Sequence, residues 1–252
     1  DIDPVSASVE VRVDEIANPP IANACSGIDL AIVTDVSGSV SRGELNQLNQ
    51  GLAELVESIN TDTVFSFSTF STGARVDRGF ALNKEEAVSY LDSTSRSGSG
   101  WTNWERGLTV ANSTFDPRPD KQNVILFASD GLPNRYGSPA RSASQSTAIS
   151  YAVAAGNRIK DEGTAIFVVG IGGALSGASN LANLQAISGP NAVVSSSFAN
   201  VGSVLNEMSA GQLCGGIDQC INPVPNARLL GVSEVTDIVE PVEWTYSRIN
   251  TD

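Results

Sequence analysis

Short apolar runs and longer amphipathic stretches alternate through the middle of the chain. Leu30-Ala31-Ile32-Val33, Val124-Ile125-Leu126-Phe127 and residues 165–171 have no polar interruption, as strands buried on both faces require. Residues 63–69 instead alternate Phe65 and Phe67 with Ser66 and Ser68, residues 74–81 read as a neighbouring edge strand, and residues 192–195 as one more short strand. Between them, Leu45, Leu48, Leu52, Leu55, Val56 and Ile59 fall on one face of a helix, behind the capping box Ser41-Arg42-Gly43-Glu44. Asn83 and Glu86 open a second helix through Leu91 in the same way. Residues 102–112, 147–162 (closed by Gly163), 181–187 and 198–213 are the remaining predicted helices. Strands joined by helices of this length imply an α/β fold: a doubly wound, mostly parallel sheet with helices on both faces.

The two flanks follow a different pattern. Val5, Ala7, Val9, Val11 and Val13 alternate with Ser6, Ser8, Glu10, Arg12 and Asp14, a half-buried strand that Asn18-Pro19-Pro20 breaks. Near the other end, Pro223 and Pro225 punctuate strand-like material carrying Val232, Val235, Ile238, Val239, Val242 and Trp244. The expected organisation is one α/β domain over residues 25–214, with β segments at 1–24 and 215–252. These flanks either pair into one small discontinuous β module or run as separate linkers.

Composition narrows the function classes. The 252 residues are 41% hydrophobic and 17% charged, which suits a globular domain. No apolar run approaches the ~20 residues needed to span a bilayer, so no membrane insertion is expected of this stretch. The chain starts at Asp1 without a visible signal peptide, and it is expected to be a mature chain or a piece of a larger surface protein. A net charge of −13 with three lysines argues against binding nucleic acid. The same acidic, Lys-poor composition fits an extracellular or cell-surface setting. There is no histidine, which removes Ser-His and Cys-His nucleophiles and every His-ligated metal site. Of the three cysteines, Cys25 precedes the first strand and Cys214 ends the last predicted helix. A Cys25–Cys214 disulfide would staple the two ends of one domain, worth on the order of 4–5 kcal/mol for so long a loop. Cys220 is then left over or competes with Cys214, and three unpaired thiols are the alternative.

Three loops at predicted strand ends are rich in oxygen donors. They are Asp35-Val36-Ser37-Gly38-Ser39, Ser97-Gly98-Ser99-Gly100-Trp101-Thr102-Asn103 and Ala128-Ser129-Asp130-Gly131-Leu132-Pro133-Asn134. In an open parallel sheet, ligands bind at the carboxyl ends of the strands. Hard oxygens grouped there suit a hard cation such as Mg²⁺. The glycines of the second loop let its backbone come close to a bound ion.

Asp35-x-Ser37-x-Ser39, Thr102 after a glycine-rich turn, and Asp130-Gly131 after an apolar strand together resemble the von Willebrand factor type A family. They match that family's metal-ion-dependent adhesion site in type, order and spacing. The resemblance covers about residues 25–214 and includes Gly170-Ile171-Gly172. It implies that Ser37 and Ser39 coordinate the ion by their hydroxyls. Thr102, Asp35 and Asp130 bind it directly or through water. Mg²⁺ is the expected cofactor, with Ca²⁺ or Mn²⁺ as substitutes, and an open coordination position would take a carboxylate from a protein or glycan partner. The implied function is a metal-dependent adhesion module and not an enzyme. The chain departs from the family at Trp101, where a second small residue is common, and at Ser129, where threonine is common. Trp101, Asn103, Trp104, Asn134 and Arg135, with Tyr136, are expected to form a partner-binding rim; packing of the two tryptophans against the sheet is the alternative.

Other functions have less in the residues to support them. A phosphatase of the haloacid dehalogenase type needs a second carboxylate where Ser37 stands. No Gly-x-Ser-x-Gly elbow is present. A Mg²⁺-dependent hydrolase using Asp35 and Asp130 is conceivable. A structural or assembly module of a surface filament, pilus or matrix would use the same site to hold a neighbouring subunit.

Overall fold

A computed structural model describes residues 16–19 and 27–212, except for 117, 119, 190, 191 and 196. In chain order the elements are β1 (Ile28–Asp35), α1 (Arg42–Ser58), β2 (Val64–Phe70), β3 (Ala74–Leu82), α2 (Lys84–Ser93), α3 (Trp104–Asn112), β4 (Gln122–Ser129), β5 (Arg135–Tyr136), β6 (Arg141–Ser142), α4 (Gln145–Asp161), β7 (Ala165–Ile171), α5 (Ala178–Ser188), β8 (Ala192–Ser195) and α6 (Val201–Gln212). Six strands form one sheet in the order β3-β2-β1-β4-β7-β8. Every neighbouring pair is parallel except β2–β3, so only the edge strand runs backwards. The α/β doubly wound architecture expected from the apolar runs is the one observed. Strand order reverses between β1 and β4, which places a crevice at their carboxyl ends.

The central strands are dry on both faces, and their side chains divide between two cores by simple alternation. Ile28, Leu30 and Ile32 of β1 face a core with Leu45, Leu48, Leu52 and Leu55 of α1 and Val201 and Leu205 of α6. Ala31 and Val33 face the opposite core, with Trp104 and Leu108 of α3, Ala152 of α4 and Ile187 of α5. Each fully buried leucine of α1 contributes about 1.5–3 kcal/mol relative to exposure. Both capping boxes form. Ser41 Oγ accepts from the Glu44 amide at 3.3 Å while Glu44 Oε2 accepts from the Ser41 amide at 2.8 Å. Asn83 and Glu86 do the same at 2.9 and 3.0 Å.

Three local features differ from expectation, the first being that the loop of residues 97–103, expected at a strand end, joins α2 to α3. The helix expected from residue 102 begins at Trp104, because the Asn103 side chain accepts from the Arg106 amide at 3.1 Å and so takes the N-cap position. The two-stranded ribbon β5–β6 was not foreseen, since strands of two residues carry no readable periodicity. No helix among the described residues is long and apolar enough to cross a membrane. The alternating pattern of residues 5–13, the second flank and all three cysteines lie outside the described residues.

Of the amino-terminal flank, residues 16–19 are described, and they dock at the base of the sheet. Asn18 Nδ2 donates to the Ile166 carbonyl at 2.7 Å and to the Ser188 carbonyl at 2.9 Å, while its Oδ1 accepts from the Ile166 amide at 2.9 Å. The side chain thereby serves β7 as a short extra strand would, beyond the end of β8. The Ile16 amide adds a bond to Asn157 Oδ1 of α4 at 3.2 Å. Asn18→Ala strands two carbonyls and an amide at once, and is expected to cost about 1–3 kcal/mol in a urea-denaturation experiment; an unchanged midpoint would show that the flank adds nothing to the domain.

Candidate metal centre at the carboxyl ends of the sheet

The apolar core of β1 delivers Asp35 to the strand tip, and Thr34 of β1 lies opposite Ala128 of β4, so Asp35 and Ser129 end adjacent strands side by side. Ser129 Oγ donates to Asp35 Oδ2 at 2.6 Å, and the Ser37 amide donates to Asp35 Oδ1 at 2.8 Å. The two loop hydroxyls follow, with Ser37 Oγ and Ser39 Oγ 3.2 Å apart. Ser39 Oγ then donates to Asp130 Oδ1 at 2.9 Å. Four of the five candidate donors, Asp35, Ser37, Ser39 and Asp130, are thus brought together in one chain of contacts across two loops.

The second loop is sewn to the first by backbone bonds. The Gly38 amide donates to the Gly100 carbonyl at 3.0 Å, Ser99 to Val36 at 2.8 Å and Gly98 to Val40 at 3.1 Å. Only glycine fits at 98, where a Cβ would sit 2.0 Å from the Ser37 carbonyl oxygen and 2.3 Å from that of Val40. This close approach carries the chain to Thr102, the fifth candidate. Thr102 is buried, and its hydroxyl has no hydrogen-bond partner among the described residues. Its backbone ties the second loop to the third. Its carbonyl accepts from the Asn134 and Arg135 amides, both at 3.0 Å, and its amide donates to Asn134 Oδ1 at 3.2 Å.

The rim residues divide. Trp101 is 55% exposed, with the Arg135 guanidinium 4.2 Å from its ring centroid. Asn134 and Arg135 are half-buried beside it. Asn103 and Trp104, expected on the rim, are instead fully buried. Asn103 caps α3, and its Nδ2 donates to the Thr72 and Gly137 carbonyls, both at 3.2 Å. Trp104 packs edge-on against Phe127, and its Nε1 donates to Ser129 Oγ at 3.0 Å and the Gly131 carbonyl at 3.1 Å. The physical reason is the helix period. Trp104, Leu108 and Ala111 share the buried stripe of α3, a signal already present in the sequence. Sequence reasoning also passed over Ser129 as a working residue; its hydroxyl grips Asp35 and is itself held by Trp104.

The donor set fits a hard cation. Asp35 and Asp130 are its only carboxylates, the rest are hydroxyls, and no group of three or more His, Cys, Asp or Glu able to hold a metal occurs among the described residues. Burial pushes Asp35 up to about 7 despite the Ser129 and Ser37 hydrogen bonds, with Asp130 adding to the rise. Burial also raises Asp130, against the pull of the Ser39 hydroxyl. Asp35 makes no ion pair among the described residues, so a divalent ion would supply the positive charge that the buried Asp35 and the half-buried Asp130 lack. Beside Asp130 a groove of about 340 Å³ opens, walled by Glu44, Gln47, Gly172 and Phe198 among others.

A polar network steadies the second loop from below. Arg96 Nη1 donates to Asp77 Oδ2 at 2.7 Å and Thr69 Oγ1 at 3.1 Å, and Nη2 to the Tyr90 hydroxyl at 3.0 Å. Arg75 Nε reaches the other Asp77 oxygen at 2.8 Å. Burial pushes the Asp77 carboxyl up, but the hydrogen bonds from Arg96 and Arg75 outweigh it and hold it below its ordinary 3.8.

The fold agrees with what comparison finds. Residues 29–207 match the family model for the von Willebrand factor type A domain, and the chain belongs to that family. A comparison with curated protein sequences returned no match. Among solved structures, proximal thread matrix protein 1 from the mussel byssus superposes with a TM-score of 0.62 at 20% identity, over 79% of this chain and 48% of that one. A second structure of that mussel protein, with a zinc-occupied MIDAS motif, gives a TM-score of 0.57 at 19% identity, over 77% of this chain and 48% of that one. The pilus adhesin SpaC from Lactobacillus rhamnosus GG gives 0.62 at 16% identity, over 77% of this chain and 31% of that one. At these identities the likeness is one of fold. The chain spans about half the length of the mussel protein and about a third of the adhesin.

Two outcomes are expected. Gly98→Ala drives a methyl into the Ser37 and Val40 carbonyls, and should cost about 2–4 kcal/mol in chemical denaturation; a neutral result would mean that the first two loops can part freely. The folded Asp77 value lies below the unfolded one, so its contribution is complete above the ordinary carboxylate range and drains away as pH falls through the folded value. Stability measured against pH should therefore lose part of its acid limb in Asp77→Asn, and an identical limb would dissociate Asp77 from the network's energetics.

Proposed function

We propose that the three loops form a metal-ion-dependent adhesion site and that the protein is a binding module of an extracellular or cell-surface protein, without catalytic activity. The observation that carries this reading is the contact chain Ser129–Asp35–Ser37–Ser39–Asp130, which gathers two carboxylates and the Ser37 and Ser39 hydroxyls at the topological switch point of the sheet. Ser37 and Ser39 would hold the cation by their hydroxyls, and Thr102 by its unpartnered one. Asp35 and Asp130 would balance its charge directly or through water. Mg²⁺ is the favoured ion, with Ca²⁺ or Mn²⁺ as substitutes, because every donor is a hard oxygen. When bound, the ion supplies a Lewis-acidic position that a carboxylate of a protein or glycan partner can fill. The residues themselves orient that position. Ser129 fixes Asp35, Gly98 and Gly100 bring the second loop to the first, and Asn134 fixes the Thr102 backbone.

A second reading is favoured by the fold shared with a byssus matrix protein: the same site would join neighbouring subunits of a filament or matrix. Both readings need the ion, and they part only in the identity of the partner. Isothermal titration with Mg²⁺ tests what they have in common. Wild-type protein should bind, and should gain about 2.7 kcal/mol of stability at a hundredfold excess over Kd. Asp35→Ala should bind at least about tenfold more weakly, with the circular dichroism of the fold intact, and EDTA should reverse the gain. Equal Mg²⁺ binding by the wild type and Asp35→Ala would refute the site.

A further inference from the structure

One part of the surface beside these loops has the wrong chemistry for an acidic protein. Trp101, Val76 and Tyr151 are the large hydrophobic side chains left exposed among the described residues, and two of the three flank the β5–β6 ribbon. On one side of the ribbon the Arg135 guanidinium lies over the Trp101 ring; on the other, Tyr136 stacks on Tyr151 of α4 with ring centroids 4.1 Å apart and planes 19° apart. The ribbon is not a free arm. The Arg135 amide bonds the Thr102 carbonyl, and Asn103 Nδ2 and Glu105 Oε2 grip the carbonyl and amide of Gly137 at 3.2 and 2.6 Å. The platform is therefore held rigidly against the residue expected to complete the metal site.

Charge is the second consideration. The chain carries −13 overall, yet no carboxylate pairs with Arg135 among the described residues; its Nη1 donates only to the Asn134 carbonyl, at 2.8 Å. A cation left without an acid, backed by an exposed indole, is arranged to receive an anion from outside. Trp, Tyr and Arg are also the residues that dominate the energetics of protein–protein contacts. A neutral sugar ring would want an open aromatic face, and one face of Trp101 is already covered by the guanidinium.

We propose that Trp101, Arg135, Tyr136 and Tyr151 form a docking platform for an acidic protein segment, which gives one carboxylate to the metal site and lays a second on Arg135. This rests on the metal-dependent reading above and adds the class of partner to it. A net charge of −13 repels acidic chains in general, so the platform and the ion together fix both where the segment lands and which way it runs.

The probes are two glycine–serine peptides, one carrying a single glutamate and one carrying two glutamates a few residues apart, titrated into the protein in Mg²⁺. The two-acid peptide should bind wild type roughly tenfold more tightly than the one-acid peptide. Arg135→Gln should erase that difference, Arg135→Lys should keep part of it, and Trp101→Ala should weaken both peptides. Mg²⁺ affinity is measured on each variant. It should not fall in Arg135→Gln, since removing a nearby positive charge cannot weaken a cation's binding. Equal binding of the two peptides by wild type, or a preference that survives in Arg135→Gln, overturns the platform while leaving the metal site standing. Binding of a uronic-acid oligomer with the same Arg135 dependence, and of neither peptide, overturns the choice of a protein partner. Failure of wild type to take up Mg²⁺ overturns the metal reading and the platform with it.

Discussion

Asp35 ends the central strand with 2% of its surface exposed, and a carboxylate that dry keeps its charge only through the groups around it. The Ser129 hydroxyl and the Ser37 amide each take one oxygen, and both are themselves held in place. Ser129 is gripped by the indole of Trp104, so the first turn of α3 is drawn under the site. Ser37 begins a turn that the glycine-rich loop closes from above. Burial still raises the carboxyl, and the neighbouring acid Asp130 raises it further. The local geometry of three loops is thus organised around a group whose ionised form has no positive partner among the described residues.

That arrangement explains why the site is built mainly from hydroxyls. More carboxylates around Asp35 would increase the repulsion that already unsettles it. Hydroxyls supply oxygen lone pairs without charge, and they bond one another and Asp130. The sheet contributes position. Adjacent parallel strands bring Asp35 and Ser129 side by side, and the reversal of strand order opens the crevice into which the loops project.

Much of this was legible in the residues because the signals are local. Ser41 with Glu44 and Asn83 with Glu86 mark helix starts that the structure places at the expected residues. The three uninterrupted apolar runs can be satisfied only by strands covered on both faces. Asp35, Ser37, Ser39 and Asp130 were likewise readable as oxygen donors at strand ends, whereas Thr102 lies in the loop between α2 and α3. What escaped is what depends on direction. Asn103 and Trp104 stand next to Trp101 in sequence, yet the start of α3 turns Asn103 into a cap and swings Trp104 into the core, while Trp101 stays in solvent. The stripe of Trp104, Leu108 and Ala111 held that information; adjacency to the loop obscured it. The β5–β6 ribbon left no trace, because its two-residue strands are shaped by bonds to Thr102 and Asn103 and not by a pattern of their own.

Asn18 gives the molecule a polarity that its topology alone does not. It anchors the amino-terminal flank at the starting end of β7, whereas the loops of the candidate site stand at the finishing ends of β1 and β4. Tension between a captured partner and that tether would run lengthwise through the parallel strands. Load in that direction shears many interstrand hydrogen bonds together instead of unzipping them one after another. A domain gripped at opposite poles in this manner would meet a pull along that axis with many hydrogen bonds at once.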